Sequence, residues 1–435
     1  MTPARTPGWS GLRGLRVGVW GVGVEGRSTL RRLAAEGVEV AAVVDREGGR
    51  LDDDRPVLGF GAGGFEALVA CDVVVRSPGI SPYGAESLSV ASAGVSVLGG
   101  LGLWLESAPR SRVACVTGTK GKSTTTAVAG ALARGLGAGV FVGGNLGTPP
   151  WDPSQTPADW YIVEVSSYQA YSVTAGPRVV AVTSLAQDHL TWHHGYDNYV
   201  RDKLSLCTRP GVETVVVPAA DAELTRHRSL LGPSVDLVGD AHPAWVDVLP
   251  LLGHHNRRNA LVAARVLQRL GVPGADDPAL LEKAATSYEP LPSRLTPVGT
   301  VGGVDFVDDS LSTNALAALA AVSAFPGRRL ALLAGGDDRG IDYGPLADGL
   351  AARGGALRVF TVPDSGPRIA AELRSRAAEV DVVECPDLVT AVGLAHAWAV
   401  PDGVVLLSPA APSFGVFRDY RERAEVFTRA VRELT

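Results

Sequence analysis

The sequence predicts three consecutive α/β domains, each built on a mostly parallel sheet. Short apolar runs that suit buried strands alternate with segments whose apolar residues recur at helical spacing, and this alternation is typical of parallel sheets joined by crossover helices. Two glycine-rich loops each stand between such a run and a helical segment. A chain of 435 residues also has room for several domains of ordinary size.

The apolar runs fall into three blocks, which we take as domains covering residues 1–110, 111–292 and 293–435. A polar, proline-containing stretch marks each boundary, at 107–112 and near 291–298. The runs that predict strands lie at 15–20, 38–45, 71–81, 112–117, 160–167, 179–185, 212–220, 304–310, 330–336, 357–362 and 404–413. A strongly helical stretch, 251–271, closes the second block.

Composition and charge exclude several classes of partner. Hydrophobic residues make up 46% of the chain, charged residues 20%, and the net charge is −6, which is ordinary for a globular protein. Without a run of Lys and Arg we expect no nucleic-acid partner, and without a run of about 18 apolar residues we expect no membrane span. The four cysteines are scattered, with no metal-ligand spacing. We therefore expect a reduced, cytoplasmic protein. We also expect a monomer.

The strongest motif is a phosphate-binding loop between an apolar strand and a helix. Glycines in such a loop let backbone N–H groups approach phosphates, and the helix N-terminus favours negative charge. Lys122 is then expected to reach the β- and γ-phosphates, and Ser123 or Thr124 to hold Mg²⁺. The loop is shorter than the common pattern, because Gly118 precedes Gly121 by only three residues. A glycine-rich turn without a ligand is the alternative. The predicted ATP-binding residues of this loop are Gly118, Thr119, Lys120, Gly121, Lys122, Ser123 and Thr124.

A second glycine loop occupies residues 21–26. It matches G-x-G-x-x-G after a strand, and Asp45 ends the next strand. Read alone, this pattern predicts a nucleotide diphosphate, a UDP-sugar included, with Asp45 on a ribose hydroxyl. A tight turn without a ligand is again the alternative. The downstream phosphate loop argues against an ordinary dehydrogenase.

Polar residues follow several predicted strands of the middle block. Glu164 ends one strand, where a carboxylate beside a phosphate loop suits Mg²⁺. Asn145 lies in a glycine-rich loop and is a candidate for contact with a phosphate or a metal-bound water. His189 follows another strand and is a candidate ligand for a metal or a phosphate. Lys203 lies in a helical segment, where composition alone favours a solvated lysine.

A helix start and the beginning of the third block supply further candidates. Asn256 and Asn259 stand three residues apart, so both amides face one side of a helix. That arrangement suits an adenine or a ribose. Arg294 lies in the domain linker, and Asp309 follows the first strand of the third block.

Taken together, these pieces resemble the Mur ligase family, and within it the MurD-type enzymes that add glutamate to UDP-N-acetylmuramoyl-L-alanine. The resemblance extends over essentially the whole chain, and the order and spacing of its motifs are more specific than either glycine loop. The motifs are TGTKGKSTT (117–125), GGNLG (143–147), VEVSSYQ (163–169), QDHL (187–190), RDKL (201–204), GHHNRRN (253–259), Arg294, DDSLSTN (308–314), GGDDRG (335–340) and LLSPAAPSFGVF (406–417).

The resemblance implies a role for each domain. The first domain, Rossmann-like, is expected to bind the UDP part of the substrate. The second is expected to be a P-loop ATPase domain. The third, again Rossmann-like, is expected to hold the incoming amino acid and to close over ATP. The implied UDP-substrate residues are Gly21, Val22, Gly23, Asp45, Ser77, Pro78, Gly79 and Asn145.

The resemblance also implies the cofactors and the chemistry. Lys203 corresponds to a lysine that CO₂ converts to a carbamate, which then joins a magnesium site. ATP would phosphorylate the alanine carboxylate, and the glutamate amine would attack the acyl phosphate. Two Mg²⁺ sites are expected. The implied catalytic residues are Lys122, Glu164, His189 and Lys203, the metal-binding residues are Ser123, Glu164, His189 and carbamylated Lys203, and the further ATP-binding residues are Asn256, Asn259, Arg294 and Asp309.

One departure from the family pattern bears on the amino acid. Where D-glutamate-adding enzymes read D-S-K-A-T-N, this chain has Leu311 in place of the lysine that would contact the side-chain carboxylate. Leu311 cannot form that contact, so the carboxylate must be held differently. The departure resembles a second MurD-type branch that adds L-glutamate and relies on a separate epimerase, and we expect L-glutamate, with D-glutamate as the alternative. The candidate amino-acid-binding residues are Thr313, Arg339, Ser413 and Tyr420.

Three other functions stay open at this stage. A folate-glutamylating ligase shares the ATP loop, although the first glycine loop argues against it. A nicotinamide dehydrogenase would need no phosphate loop. A nucleotide-binding regulator without catalytic activity is the third alternative.

Overall fold

The computed structural model describes residues 7–434, and this part of the chain contains eighteen strands in three sheets of six. By their internal contacts the described residues form two compact units. The first comprises the described residues up to Leu249 together with Arg258–Tyr288, and contains the first two sheets. The second comprises Pro250–Arg257 and the described residues from Glu289 onward, and contains the third sheet.

The first sheet has the strand order β3-β4-β2-β1-β5-β6. Its strands are β1 (Val17–Trp20), β2 (Val40–Asp45), β3 (Gly49–Arg50), β4 (Pro56–Gly59), β5 (Val73–Arg76) and β6 (Ser96–Leu98). Its helices are α1 (Val24–Ala35), α2 (Phe65–Val69), α3 (Ala85–Ser92) and α4 (Gly100–Ser107). Neighbouring strands are parallel except for β3 and β4, which pair antiparallel.

The second sheet has the order β12-β11-β10-β7-β9-β8, and its pairings are parallel. Its strands are β7 (Val113–Thr117), β8 (Val140–Gly144), β9 (Trp160–Glu164), β10 (Val179–Val182), β11 (Thr214–Pro218) and β12 (Val235–Val238). The accompanying helices are α5 (Lys122–Gly135), α6 (Ser167–Ala170), α7 (Leu190–His193), α8 (Tyr196–Leu204), α9 (Ala222–Arg226), α10 (Trp245–Val248), α11 (His254–Leu270) and α12 (Pro278–Ala285).

The third sheet has the order β13-β14-β18-β15-β16-β17. Its strands are β13 (Thr296–Val301), β14 (Val304–Asp308), β15 (Leu330–Ala334), β16 (Leu357–Thr361), β17 (Asp381–Glu384) and β18 (Val404–Leu407). Its helices are α13 (Ala315–Val322), α14 (Gly344–Arg353), α15 (Gly366–Arg376), α16 (Leu388–Ala399) and α17 (Tyr420–Arg432).

A glycine hairpin adds an antiparallel edge to the third sheet, which the sequence pattern did not predict. Gly302 and Gly303 both have positive φ, 58° and 82°, and form the two-residue turn between β13 and β14. Two successive positive φ values match the twist of a hairpin and suit glycine. Pro297, which lacks a backbone N–H, lies on this edge strand, where the missing donor costs no ladder bond.

Apolar side chains cover both faces of the sheets. Every residue of β15 is buried, and separate apolar clusters flank the third sheet on its two faces. A parallel sheet needs this cover because its strands are apolar on both sides. The same need explains why the strands appear in the sequence as continuous apolar runs.

The prediction of three α/β domains with mostly parallel sheets is confirmed. Each sheet lies inside one of the predicted ranges, and we retain 1–110, 111–292 and 293–435 as proposed domains. Strands end two to six residues earlier than several apolar runs, because the last residues of those runs form the loops at the sheet edge. None of the helices in residues 7–434 has the length and apolar character needed to cross a membrane.

Candidate active site

The phosphate loop leaves the carboxyl end of β7 and enters α5. Gly118 and Gly121 have φ values of 137° and 88°, which suit glycine. A Cβ at Gly118 would lie 2.2 Å from the Thr183 Oγ1, and one at Gly121 would lie 2.5 Å from the Asn259 Oδ1. Backbone conformation and crowding therefore both require glycine here, and the loop places main-chain groups at the N-terminus of α5.

Hydroxyl groups hold the loop against the neighbouring strand and helix. The Thr183 hydroxyl, just past β10, donates to the Lys120 carbonyl at 2.5 Å. The Thr119 Oγ1 lies 2.6 Å from the Tyr199 hydroxyl, and the Ala186 N–H donates to the same Thr119 oxygen at 2.9 Å. These bonds join the loop to β10 and α8, so its shape is fixed in the described structure.

Two lysine side chains converge on one carbonyl of the loop. The Lys122 and Lys203 ammonium groups donate to the Gly118 carbonyl at 3.0 Å and 2.8 Å. Lys203 is only 2% exposed, so the composition-based interpretation of a solvated lysine is wrong. Burial, reinforced by the positive charge of Lys122, holds the pKa of Lys203 well below its usual range.

Glu164 ends β9, the strand beside β7, and lies near this cation pair. Its Oε1 accepts from the Asn145 amide at 2.7 Å, while its Oε2 is buried with no hydrogen-bond partner among the described residues. A buried carboxylate oxygen without a partner is costly unless a cation or ligand approaches it. The bond to Glu164 places Asn145 with the second sheet, apart from the other predicted UDP-substrate residues.

His189 follows β10 and lies among charged groups of the same edge. Its φ of 53° places it in the left-handed region at the start of α7. Burial lowers the pKa of His189; the Asp188 carboxylate opposes this shift, and the charges of Lys203 and Lys120 add to it. Asp188 in turn accepts from the Lys120 ammonium at 3.2 Å. His189 is therefore close to both lysine-bearing segments.

The two predicted asparagines of α11 have different surroundings. Asn259 is buried in the first unit and lies against Gly121 of the phosphate loop. Asn256 belongs to the second unit, where its amide donates to the Leu252 carbonyl at 2.9 Å.

The first glycine loop is closed by the carboxylate that ends β2. Asp45 accepts from the Val22 N–H at 2.7 Å and from the Arg46 N–H at 2.6 Å. The carboxylate thus shapes the loop itself, in addition to any contact with a ribose. A Cβ at Gly26 would lie 1.8 Å from the Gly21 carbonyl oxygen, so α1 can approach the loop only with glycine there.

The segment after β5 completes this edge of the first sheet. The Ser77 hydroxyl donates to the Gly21 carbonyl at 2.9 Å, and the Gly79 carbonyl, after Pro78, accepts from the Trp192 indole N–H at 3.2 Å. Two clefts of about 350 and 340 Å³ open here, and Asp45 lines both of them. Gly23 lies at the start of α1 on the same edge. Most of the predicted UDP-substrate residues are therefore neighbours.

Asp309 and Arg294 lie together in the second unit. Asp309 accepts from the Ser408 hydroxyl at 2.8 Å and from the Leu295 N–H at 3.3 Å. Burial raises the pKa of Asp309 to about 7, although these bonds and the charge of Arg294 act in the opposite direction.

The predicted amino-acid-binding residues lie on loops after β14, β15 and β18, and these strands are adjacent in the order β14-β18-β15. Thr313 precedes the Asn314 cap of α13. The Arg339 guanidinium donates to Asp337 at 2.7 Å and lies 5.3 Å from the Phe414 ring centre. The residues of this set are Thr313, Arg339, Ser413 and Tyr420, with Ser413 buried and Tyr420 opening α17.

A buried arginine behind these loops was missed by sequence reasoning. Arg423 is 1% exposed, and its guanidinium donates to the Ser310 carbonyl at 2.7 Å and to the Ala411 and Pro412 carbonyls at 3.2 Å. Burial lowers its pKa to about 10. It joins the loop after β14 to the loop after β18. Its position on the apolar face of α17 was the available signal.

The predicted metal-binding residues include few of the side chains that most often hold a metal ion in proteins. Within residues 7–434 no group of three or more His, Cys, Asp or Glu side chains is placed to hold a metal ion. The predicted set contains two such residues, Glu164 and His189, so it depends on Ser123 and on a carbamate at Lys203. The partnerless Glu164 oxygen is the observation that fits a cation here.

Solved structures share this three-domain architecture. A UDP-N-acetylmuramate-alanine ligase MurC from Thermotoga maritima superposes with a TM-score of 0.57 at 17% identity, covering 97% of this chain and 100% of that chain. A MurF ligase from the same organism, in complex with ADP, gives 0.57 at 15% identity, with 99% and 98% covered. At these identities the likeness establishes the fold, which is that of the three-domain amide ligases.

Sequence comparison places the chain within that class. Residues 116–239 match the Mur ligase middle domain, and residues 293–411 match the Mur ligase glutamate ligase domain. A UDP-N-acetylmuramoyl-L-alanine–L-glutamate ligase of a Micromonospora species is 40% identical, with 98% of each chain covered. The enzyme of that name from Xanthomonas euvesicatoria is 39% identical, with 97% of this chain and 96% of that chain covered. The chain belongs to the Mur ligase family and is an ATP-dependent amide ligase.

The crowding at Gly26 leads to a stability prediction. Gly26→Ala brings a Cβ against the Gly21 carbonyl, and we expect the free energy of unfolding to fall by about 1–3 kcal/mol, as for an overpacked core site. Gly23→Ala is the matched control, because no atom lies within 4 Å of its added Cβ. Thermal unfolding of both variants measures the difference. Equal melting temperatures would contradict the crowding at Gly26.

The raised pKa of Asp309 leads to a pH prediction. The folded chain holds the Asp309 proton up to a pH of about 7, whereas an unfolded aspartate releases it near pH 4. Between these values the folded state binds more protons, so the stability due to this group is present at low pH and lost as pH rises toward 7. Asp309→Asn should therefore be more stable relative to the wild type at pH 8 than at pH 5. Melting temperatures at both pH values test this, and a difference that does not vary with pH would contradict it.

Proposed function

We propose that this enzyme joins L-glutamate to UDP-N-acetylmuramoyl-L-alanine with hydrolysis of ATP to ADP and phosphate, in the synthesis of peptidoglycan precursors. The full-length similarity, at about 40% identity, to enzymes that carry the name of this reaction is the observation that carries the proposal. Leu311 is consistent with it, because the lysine of the D-glutamate-adding pattern is absent. The proposal includes a cytoplasmic monomer.

In this proposal the first sheet binds the UDP part and the second binds ATP. The nucleotide diphosphate would lie at the loop that Asp45 closes, beside Ser77 and Gly79. The triphosphate would lie against the backbone of 118–124 at the N-terminus of α5. Lys122 would leave the Gly118 carbonyl to contact the transferring phosphoryl group. Asn259, which lies against Gly121, would contact the nucleoside.

Reaction begins when the alanine carboxylate attacks the γ-phosphorus and ADP leaves, which gives an acyl phosphate. The glutamate amine then attacks the acyl carbon, loses a proton, and expels inorganic phosphate. Lys122 stabilises negative charge on the transferring group throughout. Arg294 and Asp309, which lie together in the second unit, are the further residues proposed to bind ATP. Exclusion of water protects the acyl phosphate until the amine arrives.

Magnesium belongs to this proposal, with Ser123, Glu164, His189 and carbamylated Lys203 as the residues that would hold it in two sites. The ion, when bound, neutralises charge on the ATP phosphates. The Glu164 oxygen without a protein partner fits such an ion. CO₂ reacts with a neutral amine, and the lowered pKa of Lys203 favours that form. The carbamate would convert the Lys203 side chain into an anion beside the Lys122 ammonium group.

The glutamate side chain must find a cation other than the lysine that Leu311 replaces. We propose Arg339 as that cation, with Thr313, Ser413 and Tyr420 as hydroxyl donors around it. Arg339 follows β15 at the carboxyl edge of the third sheet, where ligands of open parallel sheets bind. It is already oriented by Asp337 and by the face of Phe414.

The first experiment compares the two glutamate enantiomers. With ATP, Mg²⁺ and UDP-N-acetylmuramoyl-L-alanine, we expect phosphate release and amide product with L-glutamate and none with D-glutamate. Lys122→Ala is the control for ATP-dependent turnover and should abolish both signals. Product with D-glutamate alone would contradict the proposed stereochemistry, and product with a folate acceptor alone would contradict the substrate class.

The role of Arg339 is tested by its replacement with methionine. We expect KM for L-glutamate to rise roughly 10- to 100-fold, the effect of losing a hydrogen bond to a charged group, with KM for ATP little changed. Arg374→Met is the matched control, since Arg374 is an exposed arginine that pairs with Glu384 at 2.7 Å. Steady-state kinetics measure both variants. An unchanged KM for L-glutamate in Arg339→Met would rule out this contact.

A further inference from the structure

A chain of hydrogen bonds, which we call the His193 network, lies in the first unit and is buried at three of its four residues. It comprises Ser167, His193, Asp202 and Tyr83. The His193 Nε2 lies 2.9 Å from the Ser167 hydroxyl, and its Nδ1 lies 2.6 Å from Asp202. The Tyr83 hydroxyl donates to the Asp202 carboxylate at 2.9 Å.

The network has a serine, a histidine and an aspartate in the order used by hydrolases. Ser167, His193 and Asp202 are 2%, 0% and 5% exposed, so an acyl substrate has no access to the serine. The aromatic rings of Tyr168, Trp192 and Tyr199 surround the imidazole at 4.4–5.7 Å. These contacts exclude a nucleophilic role and indicate a structural connection.

Three members of the network are close in the chain to residues of the proposed metal set. Ser167 follows Glu164 by three residues, and His193 follows His189 by four. Asp202 directly precedes Lys203 on α8. One imidazole therefore joins the three segments that carry Glu164, His189 and Lys203. Because both of its ring nitrogens are used, the ring cannot turn without breaking a buried hydrogen bond.

The network also reaches the segment after β5, which we assign to the UDP-linked substrate. Tyr83 comes from that part of the first domain. Nearby, the Ser81 hydroxyl donates to the Trp192 carbonyl at 2.5 Å, and the Trp192 indole donates to the Gly79 carbonyl at 3.2 Å. Within the first unit, the segment that holds His189 is thus joined to both the Gly79 loop and the Lys203 helix.

We propose that His193 is a positioning residue, which holds the Glu164, His189 and Lys203 segments in the arrangement needed for a divalent cation and ties them to the Gly79 loop. The inference rests on the proposed metal set. Residues that hydrogen-bond behind metal ligands commonly change metal affinity or activity by about 10- to 100-fold when replaced. His193 does not itself hydrogen-bond to a proposed metal ligand. It acts on the ligands through the backbone of its own segment and through Ser167 and Asp202.

The test replaces the imidazole with an apolar aromatic ring. His193→Phe removes both hydrogen bonds, and His194→Phe is the matched control, because His194 is the exposed neighbouring residue. Binding of Mn²⁺ in the presence of ADP is measured by electron paramagnetic resonance, together with circular dichroism and the melting temperature. In His193→Phe we expect the affinity for Mn²⁺ and kcat both to fall about 10- to 100-fold, while KM for L-glutamate stays unchanged. We expect His194→Phe to match the wild type in all of these measurements.

The outcomes separate positioning from stability alone. A folded His193→Phe with wild-type Mn²⁺ affinity would overturn the proposal, even if its melting temperature fell. Should that variant fail to fold, Ser167→Ala removes one bond and carries the same test. His193→Asn, which retains a donor near Asp202, should restore part of the Mn²⁺ affinity. If the wild type makes no product with either glutamate, the proposed reaction fails, while the Mn²⁺ comparison still decides the role of His193.

Discussion

Two lysine side chains share the Gly118 carbonyl, and the electrostatics of the candidate phosphate site depend on that arrangement. Like charges at such close range repel strongly in a buried setting. The carbonyl dipole offsets part of this repulsion, and burial together with the charge of Lys122 lowers the pKa of Lys203. The resulting site favours anionic groups. A triphosphate above the loop, or a carbamate on Lys203, would each relieve the repulsion.

The carboxyl edges of parallel strands explain why the candidate residues of each sheet lie together. Gly118, Glu164 and His189 lie at or beyond the carboxyl ends of three neighbouring strands of the second sheet, although the first two of them are 46 positions apart in the chain. The first and third sheets repeat this arrangement with other residues. A fold of this kind gathers side chains from distant motifs at one edge, and loops there can vary without disturbing the buried strands.

Sequence reasoning predicted eleven of the eighteen strands in the described residues, and both glycine loops, because long apolar runs and glycines have strong local signatures. It missed β3, β4, β6, β8, β12, β13 and β17. It did not predict the burial of Lys203, because the residues around a helical lysine do not show whether its side chain is buried or exposed. The His193 network and Arg423 were missed for the same reason, because their partners lie on other elements. The antiparallel strand β13 was missed because its proline and glycines resemble a linker. The site assignments themselves stay predictions.

Arg423 fixes two loops of the third domain through their carbonyl oxygens alone. The frame of the proposed amino-acid pocket is therefore main chain, and a side chain on those loops, such as Leu311, takes no part in these bonds. Under the proposed function, a substitution on these loops would therefore change which amino acid is accepted while the main-chain frame persists.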